Sequence, residues 1–113
     1  MPFSIEGEER GLFFLIRING DFSVRSIAII RKTMEDAMTI GHVSIALNLQ
    51  KTVFIDSSGI GLIMNVYKKL QEKGGSVYLI NVAKEIREAI NITGMLQLIK
   101  EYKSEEEAET YIS

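Results

Sequence analysis

Hydrophobic positions along the chain follow two different periods, and these predict an alternation of strands and helices. Five segments have the composition and length of strands: residues 3–8, 12–19, 43–49, 76–82 and 98–102. The first two are joined by the short turn Glu9–Gly11, which predicts an antiparallel hairpin. The segment at 43–49 is almost continuously apolar, as is typical of a strand buried on both faces of a parallel sheet.

Four other segments have apolar residues every three or four positions, which predicts helices. The first, capped by Ser23 and ended by Gly41, is expected to bury an arc consisting of Val24, Ile27, Ile30, Met34, Ala37 and Met38. The second, capped by Ser57 and ended by Lys73–Gly75, is expected to bury Ile60, Ile63, Met64, Val66, Tyr67 and Leu70. The third covers residues 84–92, and the fourth begins at Ser104, where Glu107 completes a capping box.

This order of elements predicts an α/β fold, since strands that alternate with helices form mostly parallel sheets. We expect a single small domain over residues 1–113, with one antiparallel edge strand and about four helices packed on the sheet. Residues 50–55 are assigned to neither a strand nor a helix.

Composition excludes several classes of function. The 113 residues include no cysteine and only one histidine, His42, which excludes thiolate chemistry and a histidine-rich metal site. With 13 basic and 15 acidic residues, the net charge of −2 gives no overall field that would attract nucleic acid or anionic lipid. No signal-peptide pattern and no apolar run of about 20 residues is found, so we expect no direct membrane insertion and a cytoplasmic location. No cofactor is expected.

The densest group of polar residues is Asp56–Gly61, between an apolar segment and the second helix. It does not match three catalytic motifs: it lacks the first glycine of a nucleophile elbow, the third glycine of a dinucleotide fingerprint and the Gly-Lys-Ser/Thr of a phosphate-binding loop. One interpretation is purely structural, with Ser57 as helix cap, Ser58 as first helical residue and the glycines allowing close packing. The other is functional, because a helix N-terminus tolerates a phosphate and Ser57 could accept one.

The stretch from Leu47 through Asp56–Gly61 resembles the signature of STAS domains, and specifically of bacterial anti-sigma factor antagonists. Three further segments resemble the family at the expected distances: Lys73–Gly75, Ile92–Met95 and Ser104–Ala108. The resemblance covers nearly the whole chain. It implies the small α/β domain derived above, and it implies a protein that is not an enzyme.

The resemblance implies a partner-switching function. Family members bind an anti-sigma factor that is also an ATP-dependent serine kinase; phosphorylation releases them, and a separate serine phosphatase resets them. Carried over to this sequence, the phosphoacceptor is Ser57, and Asp56, Ser58, Gly59 and Gly61 form the loop around it.

One segment departs from the family pattern. Where the family commonly has Gly-x-Leu-Asp after the second strand, this chain has Gly20-Asp21-Phe22-Ser23. The departure favours an alternative, a STAS domain that is not phosphorylated and that acts as a scaffold or accessory subunit of a transporter or stress-signalling complex. A small enzyme or ligand-binding domain that uses the Ser57–Gly61 loop is a third hypothesis.

A partner-binding patch is predicted from apolar residues that break the helical pattern. Leu62 and Ile29 fall outside the expected buried arcs of their helices, and we expect them to be exposed. Ser23 stands at the family's acidic position, and Asp21 lies two residues before it. Together with Leu62 and Ile29, these two residues are predicted to contact a partner.

Overall fold

The computed structural model describes residues 2–112, and strands and helices alternate over most of this length. Within these residues the chain forms six strands: β1 (Ser4–Arg10), β2 (Phe13–Phe22), β3 (Ser44–Asn48), β4 (Thr52–Ile55), β5 (Ser76–Ile80) and β6 (Glu101–Tyr102). It also forms four α-helices: α1 (Ile27–Thr39), α2 (Ser57–Gln71), α3 (Lys84–Asn91) and α4 (Glu105–Tyr111).

The sheet is mostly parallel and confirms the predicted fold class. Its strand order is β1-β2-β3-β5-β6, in which only the β1–β2 edge pair is antiparallel. The last predicted strand, residues 98–102, was too long, because only Glu101–Tyr102 pairs with β5. Within residues 2–112, no helix combines the length and the apolar character that crossing a membrane would require.

Strand β4 was missed by the sequence analysis, and it determines where the polar group at Asp56–Gly61 lies. The ten-residue strand β2 extends beyond β3 and pairs in parallel with β4 through its last three residues, Gly20–Phe22. The Thr52 hydroxyl donates to the Ile18 carbonyl at 2.7 Å, which fixes the start of β4 against β2. As a result, Asp56 lies at the carboxyl end of β2, and its backbone N–H donates to the Phe22 carbonyl.

The main core lies on the sheet face that α1, α2 and α3 cover, and a smaller cluster lies under α4 on the opposite face. Helix α4 is attached there by Glu105, whose side chain is only 14% exposed. Its carboxylate accepts hydrogen bonds from Arg10 at 2.8 Å, from Arg17 at 2.8 and 2.9 Å, and from Asn48 at 2.7 Å. The Ser104 hydroxyl caps α4 by accepting from the Glu107 N–H, as predicted.

Helix α1 begins later than predicted. Ser23 does not cap it; its carbonyl accepts from the Ser26 N–H, and the Ser26 hydroxyl donates to the Asp21 carbonyl at 2.6 Å, so that residues 23–26 form a closed turn. The helix starts only at Ile27. Val24 therefore lies in the turn and is 67% exposed, which corrects its predicted place in the buried arc.

Helix α2 is rotated from its predicted orientation. Its buried residues are Gly59, Leu62, Ile63, Val66 and Leu70. At 100° per residue, the centre of this arc is displaced by roughly 60° from the predicted one. Leu62 is only 3% exposed, so the prediction that it lies on the surface is wrong. The hydrophobic pattern misplaces the buried arc because of Gly59. This residue contributes no apolar side chain to the pattern, yet it lies where α2 comes closest to β2.

Candidate functional site

Asp56 is the residue that organises the start of α2. It is the N-cap, and its Oδ1 accepts from the N–H groups of Ser58 at 2.9 Å and Gly59 at 3.2 Å. Its other oxygen, Oδ2, accepts from the Val24 N–H at 3.1 Å and so ties the turn before α1 to α2. The Val24 hydrogen bond is the main cause that lowers the pKa of Asp56, with those of Gly59 and Ser58 adding to it. The carboxylate is therefore ionised at neutral pH.

Ser57 is the first residue of α2 rather than its cap, which corrects the prediction that it caps the helix. The side chain is exposed. None of the side-chain hydrogen bonds found among residues 2–112 involves its hydroxyl. The role of helix cap is taken by Asp56, which accepts the hydrogen bonds of the Ser58 and Gly59 N–H groups. Ser58, the next residue, is half-buried. The site thus presents one serine hydroxyl to the surface, next to a fixed negative charge.

The two glycines that follow have different structural roles. A Cβ atom on Gly59 would lie 2.5 Å from the Phe22 carbonyl oxygen and 2.9 Å from Ile55 Cγ1, so only glycine fits there. A Cβ on Gly61 would meet no atom within 4 Å. Gly61 is exposed and lies one helical turn after Ser57, on the same side of α2. Packing within the domain explains the first glycine and does not explain the second.

Alanine substitutions at these glycines should change stability in opposite directions. We expect Gly59→Ala to lower the free energy of unfolding by about 1–3 kcal/mol, because the added methyl group overlaps a backbone carbonyl. We expect Gly61→Ala to raise the free energy of unfolding by about 0.5–1 kcal/mol, because alanine has a higher helix propensity than glycine at an exposed position inside a helix. Urea denaturation followed by circular dichroism would measure both, and a destabilised Gly61→Ala would contradict the open space at that position.

The remaining predicted contact residues are not equally accessible. Ile29 is 49% exposed and lies with Asp21 and Arg25 in one shallow pocket. Ser23 is only 3% exposed and belongs to the turn before α1, and Leu62 is in the core. Neither Ser23 nor Leu62 can therefore be touched by a partner in this conformation, which corrects both assignments.

The geometry supports modification of Ser57 better than catalysis by it. A serine nucleophile needs a general base within hydrogen-bond reach. His42 lies at the other end of the sheet, just before β3, where its Nε2 is 3.0 Å from a Glu9 carboxylate oxygen. Asp56 is a weak base, since three N–H groups stabilise its ionised form.

The family model for the STAS domain matches residues 4–108. The chain belongs to the STAS domain family. The match includes the loop at Asp56–Gly61 and both of the helices that start beside it.

One curated protein and two solved structures are similar to this chain over nearly its full length. The anti-sigma F factor antagonist of Paenibacillus polymyxa is 27% identical over 111 residues, which cover 97% of this chain and 95% of that protein. The phosphorylated form of SpoIIAA, a Bacillus cell fate determinant, superposes with a TM-score of 0.74 at 27% identity and covers 95% of this chain and 96% of its own. An anti-sigma factor antagonist from Mycobacterium paratuberculosis, at 15% identity, shares the fold with a TM-score of 0.87 over 98% and 94% of the two chains.

Proposed function

We propose that this STAS domain is a cytoplasmic anti-sigma factor antagonist that captures an anti-sigma factor when Ser57 is unmodified and releases it when Ser57 is phosphorylated. The partner would also be the kinase and would bind the ATP, and a serine phosphatase would restore the unmodified form. The observation that carries the proposal is the exposed Ser57 hydroxyl, which is free of hydrogen bonds within residues 2–112 and held beside an ionised carboxylate. The curated relative named as an anti-sigma F factor antagonist and the phosphorylated SpoIIAA support it.

The departure at Gly20–Ser23 does not weaken this proposal. Ser23 is buried, and its backbone N–H donates a hydrogen bond to the Ser26 hydroxyl at 3.1 Å. The substituted position therefore affects how the turn before α1 is held.

Phosphorylation would act through charge rather than through refolding. A phosphate adds about −1.5 to −2 charges at neutral pH. The Ser58 and Gly59 N–H groups, which could otherwise bind it, are already used by Asp56. The phosphate would therefore project into solvent at the surface where a partner binds, while α2 keeps its N-cap. Binding would then require the partner to desolvate or face a dianion, which is unfavourable.

Intact-mass measurement tests the proposal. We expect incubation with a candidate anti-sigma factor kinase and ATP to add one phosphate to the wild-type protein and none to Ser57→Ala. Ser58→Ala is the matched control and should still gain the phosphate. Binding to the same partner should be at least tenfold weaker for the phosphorylated protein than for Ser57→Ala, as measured by calorimetry.

Other outcomes would separate the alternatives. A phosphate gained by the Ser57→Ala variant would show that another residue is the phosphoacceptor. Stable binding of a partner without any mass gain would favour the non-phosphorylated scaffold. Loss of the α2 helical signal after phosphorylation, seen by circular dichroism or amide exchange, would contradict release by local charge.

A further inference from the structure

The chain beside β2 is interrupted just before the candidate site. Strands β3 and β4 both run parallel to β2 and are separated by only three residues, so together they form one irregular strand along it. Arg17 of β2 pairs with Asn48, and Gly20 pairs with Thr52, so three residue steps on β2 correspond to four on its neighbour. One extra residue is therefore accommodated between Asn48 and Thr52.

A second extra residue follows within β4. The register of the pair shifts between Gly20 and Asp21, whose partners Thr52 and Phe54 are two residues apart. Val53 and Phe54 are both exposed, which breaks the alternation of an ordinary strand. Irregularities of this kind bend a strand and change the direction of the residues that follow.

The two extra residues determine where the chain reaches the end of β2. Phe22 pairs with Ile55. At the register of β3, the residue two places before Ile55 would lie opposite Phe22, and Asp56 would lie about 7 Å further along, at about 3.3 Å per residue. The 3.1 Å hydrogen bond from the Val24 N–H to Asp56 could not form from there. The interruption thus brings Asp56 to Val24, and Ser57 with it.

The buried side chain of Asn48 holds the first extra residue with both ends of its amide. Its Oδ1 accepts from the Gln50 N–H at 2.9 Å, and its Nδ2 donates to Glu105 at 2.7 Å. An ionised carboxylate can only accept hydrogen bonds, so Glu105 fixes which end of the amide faces Gln50. The next carbonyl group, that of Lys51, accepts from the Gly20 N–H at 2.9 Å and joins the turn to β2.

Thr52 lies between the two extra residues and is also buried. Its hydroxyl donates to the Ile18 carbonyl at 2.7 Å, and its N–H donates to the Leu49 carbonyl at 3.1 Å. A buried hydroxyl is costly without a partner, so the bond to Ile18 selects one position of Thr52 along β2. Neither Asn48 nor Thr52 has a part in the function as proposed so far.

We infer that Asn48 and Thr52 are positioning residues for the phosphorylation of Ser57, an inference that rests on the function proposed above. In that reaction the Ser57 oxygen forms a bond to the γ-phosphorus of the partner's ATP, the bond from that phosphorus to ADP breaks, and the hydroxyl proton passes to a base of the partner. A misplacement of about 1 Å can slow such a step by about 100-fold. Asn48 and Thr52 act on it through the backbone of β4 and through Asp56.

Kinetics of phosphorylation test the inference with the full-length protein and a purified anti-sigma factor kinase, at a temperature where each variant is folded by circular dichroism. We expect Thr52→Val, which removes only the hydroxyl, to lower kcat by about tenfold and to change KM by less than about threefold. Thr52→Ser keeps the hydroxyl and should restore kcat. Ile45→Val is the matched control, because it removes a buried methyl group from β3 without touching the turn, and it should keep the wild-type kcat.

A pair of substitutions tests Asn48 by the polarity of its hydrogen bond. Asn48→Asp places a second carboxylate against Glu105, and we expect it to lower kcat as Thr52→Val does. The double variant Asn48→Asp/Glu105→Gln exchanges donor and acceptor, so that the new amide can donate to the new carboxylate. It should recover most of the lost kcat, and a double variant as slow as Asn48→Asp would overturn the role of this contact.

Hydrogen exchange at one amide separates this inference from the proposed function, because it needs no kinase. The Val24 N–H reports whether Asp56 is in place, and we expect it to exchange about tenfold faster in Thr52→Val and at the wild-type rate in Ile45→Val. Unchanged exchange and kcat in Thr52→Val, or equal losses in Ile45→Val, would overturn the inference and leave the Ser57 switch intact. A wild type that no kinase phosphorylates would overturn the switch, whereas faster Val24 exchange in Thr52→Val would still show that Thr52 positions Asp56.

Discussion

Leu62→Glu is expected to destabilise the protein strongly. Leu62 is 3% exposed and packs in the core between α2 and the sheet, so the substitution removes a buried leucine and places a carboxylate there without a partner. The lost apolar burial costs about 2 kcal/mol, and the buried polar group adds at least as much. A loss of more than about 4 kcal/mol is a large share of the 5–15 kcal/mol that stabilises a typical domain. Urea denaturation and the dispersion of amide resonances would measure it.

The matched control is Asn65→Glu, which places the same side chain three residues later on the exposed side of α2. We expect that variant to keep the wild-type midpoint within the error of the measurement. If Leu62→Glu were as stable as Asn65→Glu but failed to bind the partner, the surface position predicted from the sequence would be right and the core position wrong.

Glu105→Ala is expected to detach helix α4 from the sheet. The substitution removes one acceptor that Arg10, Arg17 and Asn48 share, and it leaves the buried Asn48 amide without its partner. Hydrogen bonds to a charged group contribute about 1.5–3 kcal/mol, so we expect a loss of about 3 kcal/mol. Faster amide exchange in α4, with little change in α2, would show that the effect is local. The neighbouring variant Glu106→Ala should cost less than about 1 kcal/mol, because Glu106 is exposed.

The Glu105 carboxylate should also make the stability of the fold depend on pH in the acidic range. The Arg17 hydrogen bonds are the main cause that lowers the pKa of Glu105 in the folded state, and Asn48 adds to it. Since the unfolded chain binds the proton more readily, the stabilisation is complete above the ordinary glutamate pKa of about 4.3 and is lost as the pH falls through the lower folded value. We expect Glu105→Ala to show a smaller loss of stability between pH 5 and pH 3 than the wild type. An identical loss in both would assign the acid dependence to other carboxylates, such as Glu8.

The sequence predicts the sheet and the helices well, and it fails where backbone contacts replace side-chain patterns. The hairpin, the parallel strands and the start of α4 follow from local hydrophobic periods and from capping residues. Strand β4 does not, because its pairing depends on β2 extending beyond β3. The rotation of α2 is hidden for a related reason, since Gly59 forms the closest contact and contributes nothing to a hydrophobic pattern.

Part of the candidate site could also be predicted. The position of Ser57 at the start of a helix follows from the motif, and the structure places it one residue inside the helix, where its hydroxyl is free of a capping role. The bond from Val24 to Asp56 joins residues 32 positions apart and has no local signal. Only the three-dimensional arrangement shows that the turn before α1 and the start of α2 form one site.

That long-range bond has a consequence for how Ser57 can be recognised. A short peptide with residues 52–62 would contain the serine and Asp56 but would lack the Val24 N–H and the Phe22 carbonyl against which Gly59 packs. The kinase proposed for Ser57 would therefore have to recognise a surface formed by residues distant in the sequence, rather than a linear consensus sequence. Newly made or damaged copies of the chain that have not folded would not display that surface. Phosphorylation at Ser57 would therefore be restricted to folded molecules, and unfolded copies of the chain would not be regulated.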